Sequence, residues 1–116
     1  MNIILRIIVT ALLVLLISNF LPGVNLAGFY TSLIVAVVLG LLNIFVKPIL
    51  VILTLPVTLL TFGLFLLVIN AIIIMICSEL VTGFRVENFW IALLFSIILS
   101  VLQSLFFGVT SEKSAN

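Results

Sequence analysis

The chain of 116 residues is 66% hydrophobic and 6% charged, with four Lys or Arg, three Asp or Glu and a formal net charge of +1. A water-soluble domain carries about 25% charged residues, so this composition, with a mean hydropathy of +1.72, excludes a soluble globule and indicates one membrane domain. It also excludes a basic face for nucleic acid; with no His and one Cys, the ordinary metal sites and the Ser-His-Asp or Cys-His catalytic arrangements lack their residues, and neither catalytic residue nor cofactor is expected.

The first apolar run, 3–20, reaches the roughly 17 to 25 residues needed to span a bilayer. Arg6 ahead of the uninterrupted apolar stretch 7–17 gives a resemblance to a secretory signal, but no A-x-A-like site follows and more spans come after, so the segment is expected to stay attached. Arg6 can snorkel to the near surface, leaving Thr10 at about mid-depth. The break 18–28, SNFLPGVNLAG, holds the Pro22-Gly23 turn and reads as a short interfacial loop. A second span follows over 29–46, with Phe29 and Tyr30 as an aromatic interface anchor. An apolar connector occupies 47–62, and a third span over 63–80 carries Asn70 near its middle. The break 78–88, SELVTGFRVEN, holds three of the seven charges. A fourth span covers 89–107, and a short polar tail ends the chain. Cys77 lies in an apolar run and reads as a packing thiol, since a thiolate is poorly solvated there.

Compared with itself at an offset of 60 residues, the chain aligns without a gap: Gly23 falls on Gly83, Phe29 on Phe89, Tyr30 on Trp90, Thr10 on Asn70, Ala36 on Ser96, Gly40 on Ser100 and Asn43 on Gln103. Two copies of one hairpin explain this better than chance likeness of apolar segments. The expected architecture is an all-α membrane protein with four transmembrane helices in one domain, 1–116: repeat 3–46, connector 47–62, repeat 63–106 and tail 107–116. An even number of spans per copy makes these parallel repeats about an axis along the membrane normal, not an inverted pair. Arg6, Lys47 and Lys113 collect on one side against Arg85 on the other, which predicts that side, with both termini, to be cytoplasmic.

The connector is too apolar to be a free loop. Pro48 suits a first helical turn, whereas Pro56 breaks a continuous helix. Thr54, Thr58 and Thr61 recur on one helical face, and Asn43 and Lys47 stand four apart upstream. Two forms remain open: an amphipathic helix at the interface, or a re-entrant pair of half-helices meeting at Leu55-Pro56, with backbone groups freed by Pro56 satisfied by threonines, helices or water.

The residues Asn43, Lys47-Pro48-Ile49-Leu50, Leu53-Thr54-Leu55-Pro56, Thr58, Thr61, Gly63-Leu64-Phe65 and Ile69-Asn70-Ala71 resemble the pattern of the phage holin superfamily IV proteins, also called mycobacterial-type phage holins. The resemblance extends to about Phe107. It implies a small four-span protein of the bacterial inner membrane and transfers no catalytic residue. The chain departs from the usual holin style in its tail, where Glu112 and Lys113 are the only charges.

The polar residues within the membrane carry the remaining functional interest. Asn43, Asn70 and Gln103 are expected to hydrogen-bond between helices as packing glue, worth on the order of 0.6 to 2 kcal/mol each. In the other reading Thr10, Asn43, Lys47, Thr54, Pro56, Thr58, Thr61, Asn70 and Gln103 line a polar path. Ala36, Gly40, Ser96, Ser100 and Ser104 form small-residue faces where helices approach closely. None of the polar residues deep in the spans is readily ionisable, which disfavours proton-coupled transport. Three functional classes follow: a structural or accessory membrane protein in envelope maintenance, an oligomeric holin-like pore, and a small channel or carrier. The partners expected are the lipid bilayer and a homo-oligomer or larger membrane complex.

Overall fold

The first helix starts where a polar side chain can cap it. Asn2 Oδ1 accepts the Leu5 backbone N–H at 2.8 Å, satisfying one of the free donors of the first turn. The computed structural model describes residues 2–115, with side chains as far as residue 107. Its elements in order are α1 (Ile3–Phe20), β1 (Val24–Leu26), α2 (Phe29–Leu53), α3 (Leu55–Leu60), α4 (Phe65–Leu80), β2 (Phe84–Val86) and α5 (Phe89–Ala115). Helix α5 therefore continues through the segment expected to be a polar tail. The side chains of Glu112 and Lys113 lie outside those described.

Helices α1 and α2 pack as one hairpin and α4 and α5 as another, while α2 against α4 and α1 against α5 close a ring of four. The core lies inside this ring: Val14 and Ile17 from α1, Val35 and Leu39 from α2, Ile73 and Cys77 from α4, Phe95 and Leu99 from α5 are all buried. The Cys77 thiol points to the Val35 carbonyl at 3.9 Å, inside the packing. Large apolar side chains cover the outside as well, among them Leu12, Leu16, Ile34, Leu41, Leu94 and Leu105. A molecule apolar both inside and out is suited to lipid rather than to water. Helices Ile3–Phe20 and Phe29–Leu53 and the segment Phe89–Phe107 are long and apolar enough to cross a membrane, and Phe65–Leu80 is a shorter apolar helix. Its 16 residues rise about 24 Å, against about 30 Å of hydrocarbon.

The hairpin loops are not irregular, as a purely helical reading expects, but pair with each other. Strands β1 and β2 form an antiparallel ribbon in the register Val24 to Val86, Asn25 to Arg85 and Leu26 to Phe84. Beyond the strands, Ala27 N–H donates to the Gly83 carbonyl at 2.9 Å and Glu87 N–H to the Gly23 carbonyl at 2.8 Å. These bonds exchange positions sixty apart. Gly23 and Gly83 sit at φ +91° and +93°, and a Cβ on either would stand 3.0 Å from an atom of the opposite loop, Glu87 Oε2 or Ala27 Cβ. Glycine is required there twice, for backbone conformation and for space. Three-residue strands with one buried face, Val24 in one and Phe84 and Val86 in the other, are too short for alternation to be legible.

The connector also differs from the sequence reading. Helix α2 does not stop near residue 46 but runs to Leu53, with Pro48 in its interior on an exposed face. It breaks at Thr54, where the backbone leaves the helical region, and Pro56 has no N–H to offer the Ile52 carbonyl. Pro56 itself opens α3, where its missing donor is harmless. Pro48 thus lies inside a helix and not in its first turn, while Pro56 stands directly after the break. Between α3 and α4 the chain passes through Phe62 at φ +55° and Gly63 at φ +87°, and Gly63 N–H closes onto the Thr58 carbonyl at 2.8 Å. This is the bond of a Schellman-type helix end.

Candidate functional site

Each of the four long helices contributes polar side chains to one inner face. Arg6 and Thr10 are four apart on α1, Asn43 and Lys47 four apart on α2, and Ser96, Ser100 and Gln103 follow at spacings of four and three on α5; such spacings place residues on one helical stripe. The bundle turns these stripes and Asn70 of α4 toward a common cavity of about 660 Å³. Thr10, Ala36, Leu39, Ile73, Ile74, Ser96 and Leu99 form its buried inner end, whereas Ile3, Arg6, Asn43 and Ile44 are exposed at its mouth. From Ile3 to Thr10 the helix rises about 10 Å, so the cavity reaches well into the bundle from the Arg6 end. Toward the ribbon it stops against closed packing, where Val14, Val35, Cys77 and Phe95 have no exposed surface and the Phe84 and Phe95 rings meet at 5.8 Å.

Among the described residues one hydrogen bond crosses the cavity wall between side chains: Gln103 Nε2 donates to Thr10 Oγ1 at 3.2 Å, tying α5 to α1. At the mouth the Arg6 guanidinium lies over the Phe107 ring, 4.7 Å from its centroid, a cation–π contact between the same two helices. Arg6 and Lys47 are the only charged residues among the described lining, both cationic. Glu79, Arg85 and Glu87 lie at the ribbon end.

Of the polar residues singled out from sequence, Thr10, Asn43, Lys47, Asn70 and Gln103 line the cavity and Thr54, Pro56, Thr58 and Thr61 do not. The threonine hydroxyls are used locally. Thr54 Oγ1 donates to the Leu50 carbonyl at 2.7 Å, and Thr61 Oγ1 donates to the Val57 carbonyl at 3.0 Å while accepting Phe65 N–H at 3.1 Å, which caps the start of α4. Thr58 is buried and its Oγ1 has no hydrogen-bond partner among the described residues. Asn70 was expected as interhelical glue, yet it is half-buried on the cavity wall and, like Asn43, makes no side-chain hydrogen bond among the described residues. Ala36, Gly40, Ser96 and Ser100 also line the cavity, and Ser104 lies exposed outside it. A Cβ on Gly40 would meet nothing within 4 Å, so this glycine widens the cavity instead of bringing two helices together. Sequence reasoning missed Arg6 as a site residue; its four-residue spacing to Thr10 was the available signal.

Known proteins match this chain along most of its length. Residues 1–105 match the family described as mycobacterial 4 TMS phage holin, superfamily IV. The chain is similar to an uncharacterized membrane protein, YvlD, of Bacillus subtilis (strain 168), with 39% identity over 100 residues, 85% of this chain and 84% of that protein. It is also similar to an uncharacterized protein, SCO3922, of Streptomyces coelicolor, with 43% identity over 77 residues, 63% of this chain and 62% of that protein. No solved structure matches. A family match across nearly all of the chain, together with a membrane-protein relative aligned over most of both lengths, leads to one conclusion: the chain belongs to the mycobacterial 4 TMS phage holin family of superfamily IV.

Proposed function

We propose that the protein is a non-enzymatic, four-pass cell-membrane component with a structural or accessory role in the envelope, working through a polar vestibule open at one end. The observation that carries this reading is the closed packing of Val14, Val35, Cys77 and Phe95 beneath the ribbon, which leaves no path through a single chain. Its two hairpins are copies of one parallel repeat, supported by the exchanged bonds Ala27 to Gly83 and Glu87 to Gly23. Matching burial sixty residues apart supports the same reading: Ala11 with Ala71, Val35 with Phe95 and Leu39 with Leu99. Basic residues at the cavity mouth favour that end, and both termini, as cytoplasmic. A reporter fused at Asn116 tests the orientation, and activity only on the outer face overturns it.

Family membership favours a second reading, an oligomeric holin-like pore. Such a pore would be assembled between chains, and exposed Ser104 supports it by offering a small side chain for close helix contact. One experiment separates the two. The protein is induced alone and leakage of an impermeant dye and membrane potential are followed beside a known holin. The vestibule reading expects neither to change abruptly; timed depolarisation like that of the control establishes the pore instead.

A further inference from the structure

We propose that the cavity between the four helices is a binding site for a phosphate-bearing anion, held by Arg6, Lys47 and the amide of Asn43 toward its mouth and by the amide of Asn70 within it. The inference rests on the vestibule reading and specifies what the vestibule takes. Charge is the first argument: Arg6 and Lys47 line the cavity, and no carboxylate does so among the described residues. With no carboxylate beside them in the described lining, the two cations favour an anion, which both can reach from the cavity.

Unused donors are the second argument. Lys47, Asn43, Asn70 and Ser100 make no side-chain hydrogen bond among the described residues, although all line the same space. An arginine fork, a lysine point charge and neutral N–H and O–H donors form the set that suits a phosphate, which offers several oxygens in different directions. The Phe107 ring under Arg6 holds the guanidinium at the mouth. The volume of about 660 Å³ falls within the ~300 to 1,000 Å³ of small-molecule sites.

The third argument is asymmetry. Most cavity residues come in pairs sixty apart: Thr10 with Asn70, Ala36 with Ser96, Leu39 with Leu99, Gly40 with Ser100, Asn43 with Gln103. The cations break the pattern, for the positions sixty beyond Arg6 and Lys47 are Leu66 and Phe107. Charge is therefore gathered on the first hairpin, as one anion requires.

Such a phosphate has two sources, an anionic lipid headgroup of the same leaflet or a soluble phosphomonoester. Lipid-side residues Val37, Leu41 and Ile44 in the lining suit the first, because acyl chains would continue along them. The test uses the full-length protein in phosphatidylcholine nanodiscs with and without phosphatidylglycerol, and in detergent with glycerol 1-phosphate. Retained lipid is read by native mass spectrometry and thermal stability by circular dichroism. Preferential retention of phosphatidylglycerol supports the site with a lipid source. Under this outcome Arg6→Gln and Lys47→Gln each weaken retention about five- to tenfold, while Lys47→Arg and the ribbon-end change Arg85→Gln keep it. Stabilisation by glycerol 1-phosphate without lipid preference, lost in the same variants, supports the site with a soluble source. Binding of neither probe by the folded wild type overturns the proposal, as does equal weakening by Arg85→Gln. Dye leakage is independent of this result, so a chain that forms pores yet loses its anion in Lys47→Gln refutes the vestibule reading alone.

Discussion

Gln103 and Thr10, ninety-three residues apart in sequence, are joined by a 3.2 Å hydrogen bond from amide to hydroxyl. It links the last helix to the first on the cavity wall, beside the Arg6–Phe107 contact between the same two helices. Bonds of this kind between membrane helices measure about 0.6 kcal/mol on average and reach about 1.7. A double-mutant cycle of Gln103→Leu and Thr10→Val in detergent melts should give a coupling of about that size. A coupling of zero would mean that water replaces the bond without loss.

Three glycines should rank in a fixed order when changed to alanine. Gly23→Ala and Gly83→Ala force a Cβ onto left-handed backbone and to 3.0 Å from the facing loop, and each is expected to cost about 1 to 3 kcal/mol. Gly40→Ala meets open space in a helix and should stabilise by about 0.5 to 1 kcal/mol. Thermal unfolding of the three variants checks this, and a destabilised Gly40→Ala would place a hidden contact at that position.

Two asparagines should behave oppositely. Asn88 Oδ1 accepts Ile91 N–H at 3.0 Å and caps α5, so Asn88→Ala should cost about 1 kcal/mol. Asn70 lines the cavity without a side-chain partner among the described residues, and Asn70→Leu should be neutral or stabilising, because it removes polar surface without orphaning another group. Greater loss at position 70 than at 88 in the same melts would restore the packing-glue role.

Thr58 is buried at 8% exposure with its hydroxyl unpartnered among the described residues. Thr58→Val keeps the shape and deletes the polar atom, so the variant should melt higher, by about 1 kcal/mol in stability. Thr61→Val is the contrasting case, since it strands Phe65 N–H and should melt lower.

The helices were legible because their ends carry local chemistry. Pro22-Gly23 closes the first hairpin turn, Asn88 caps α5, and apolar runs fill the intervals. The ribbon was not legible, since its pairing joins strands of three residues separated by most of the chain, and nothing local records a partner. The connector was legible only in part: Pro56 marks the place of the break, but Pro48 can begin a helix or sit inside one, and only the surrounding structure decides which. In the cavity, Thr10, Asn43, Lys47, Asn70 and Gln103 were found as intramembrane polar residues. The threonine series looked equally convincing, but helical spacing cannot tell a hydroxyl that faces a cavity from one bonded back to its own helix.

The ribbon has a mechanical consequence. At one end of the molecule the two hairpins are riveted by main-chain bonds around Asn25 and Arg85, which no replacement other than proline removes directly. At the other end they are coupled by the short helix α3, its flanking turns and the contacts at the cavity mouth. Any splaying of the bundle therefore pivots about the ribbon like the jaws of a forceps, widening the mouth while the far end stays shut.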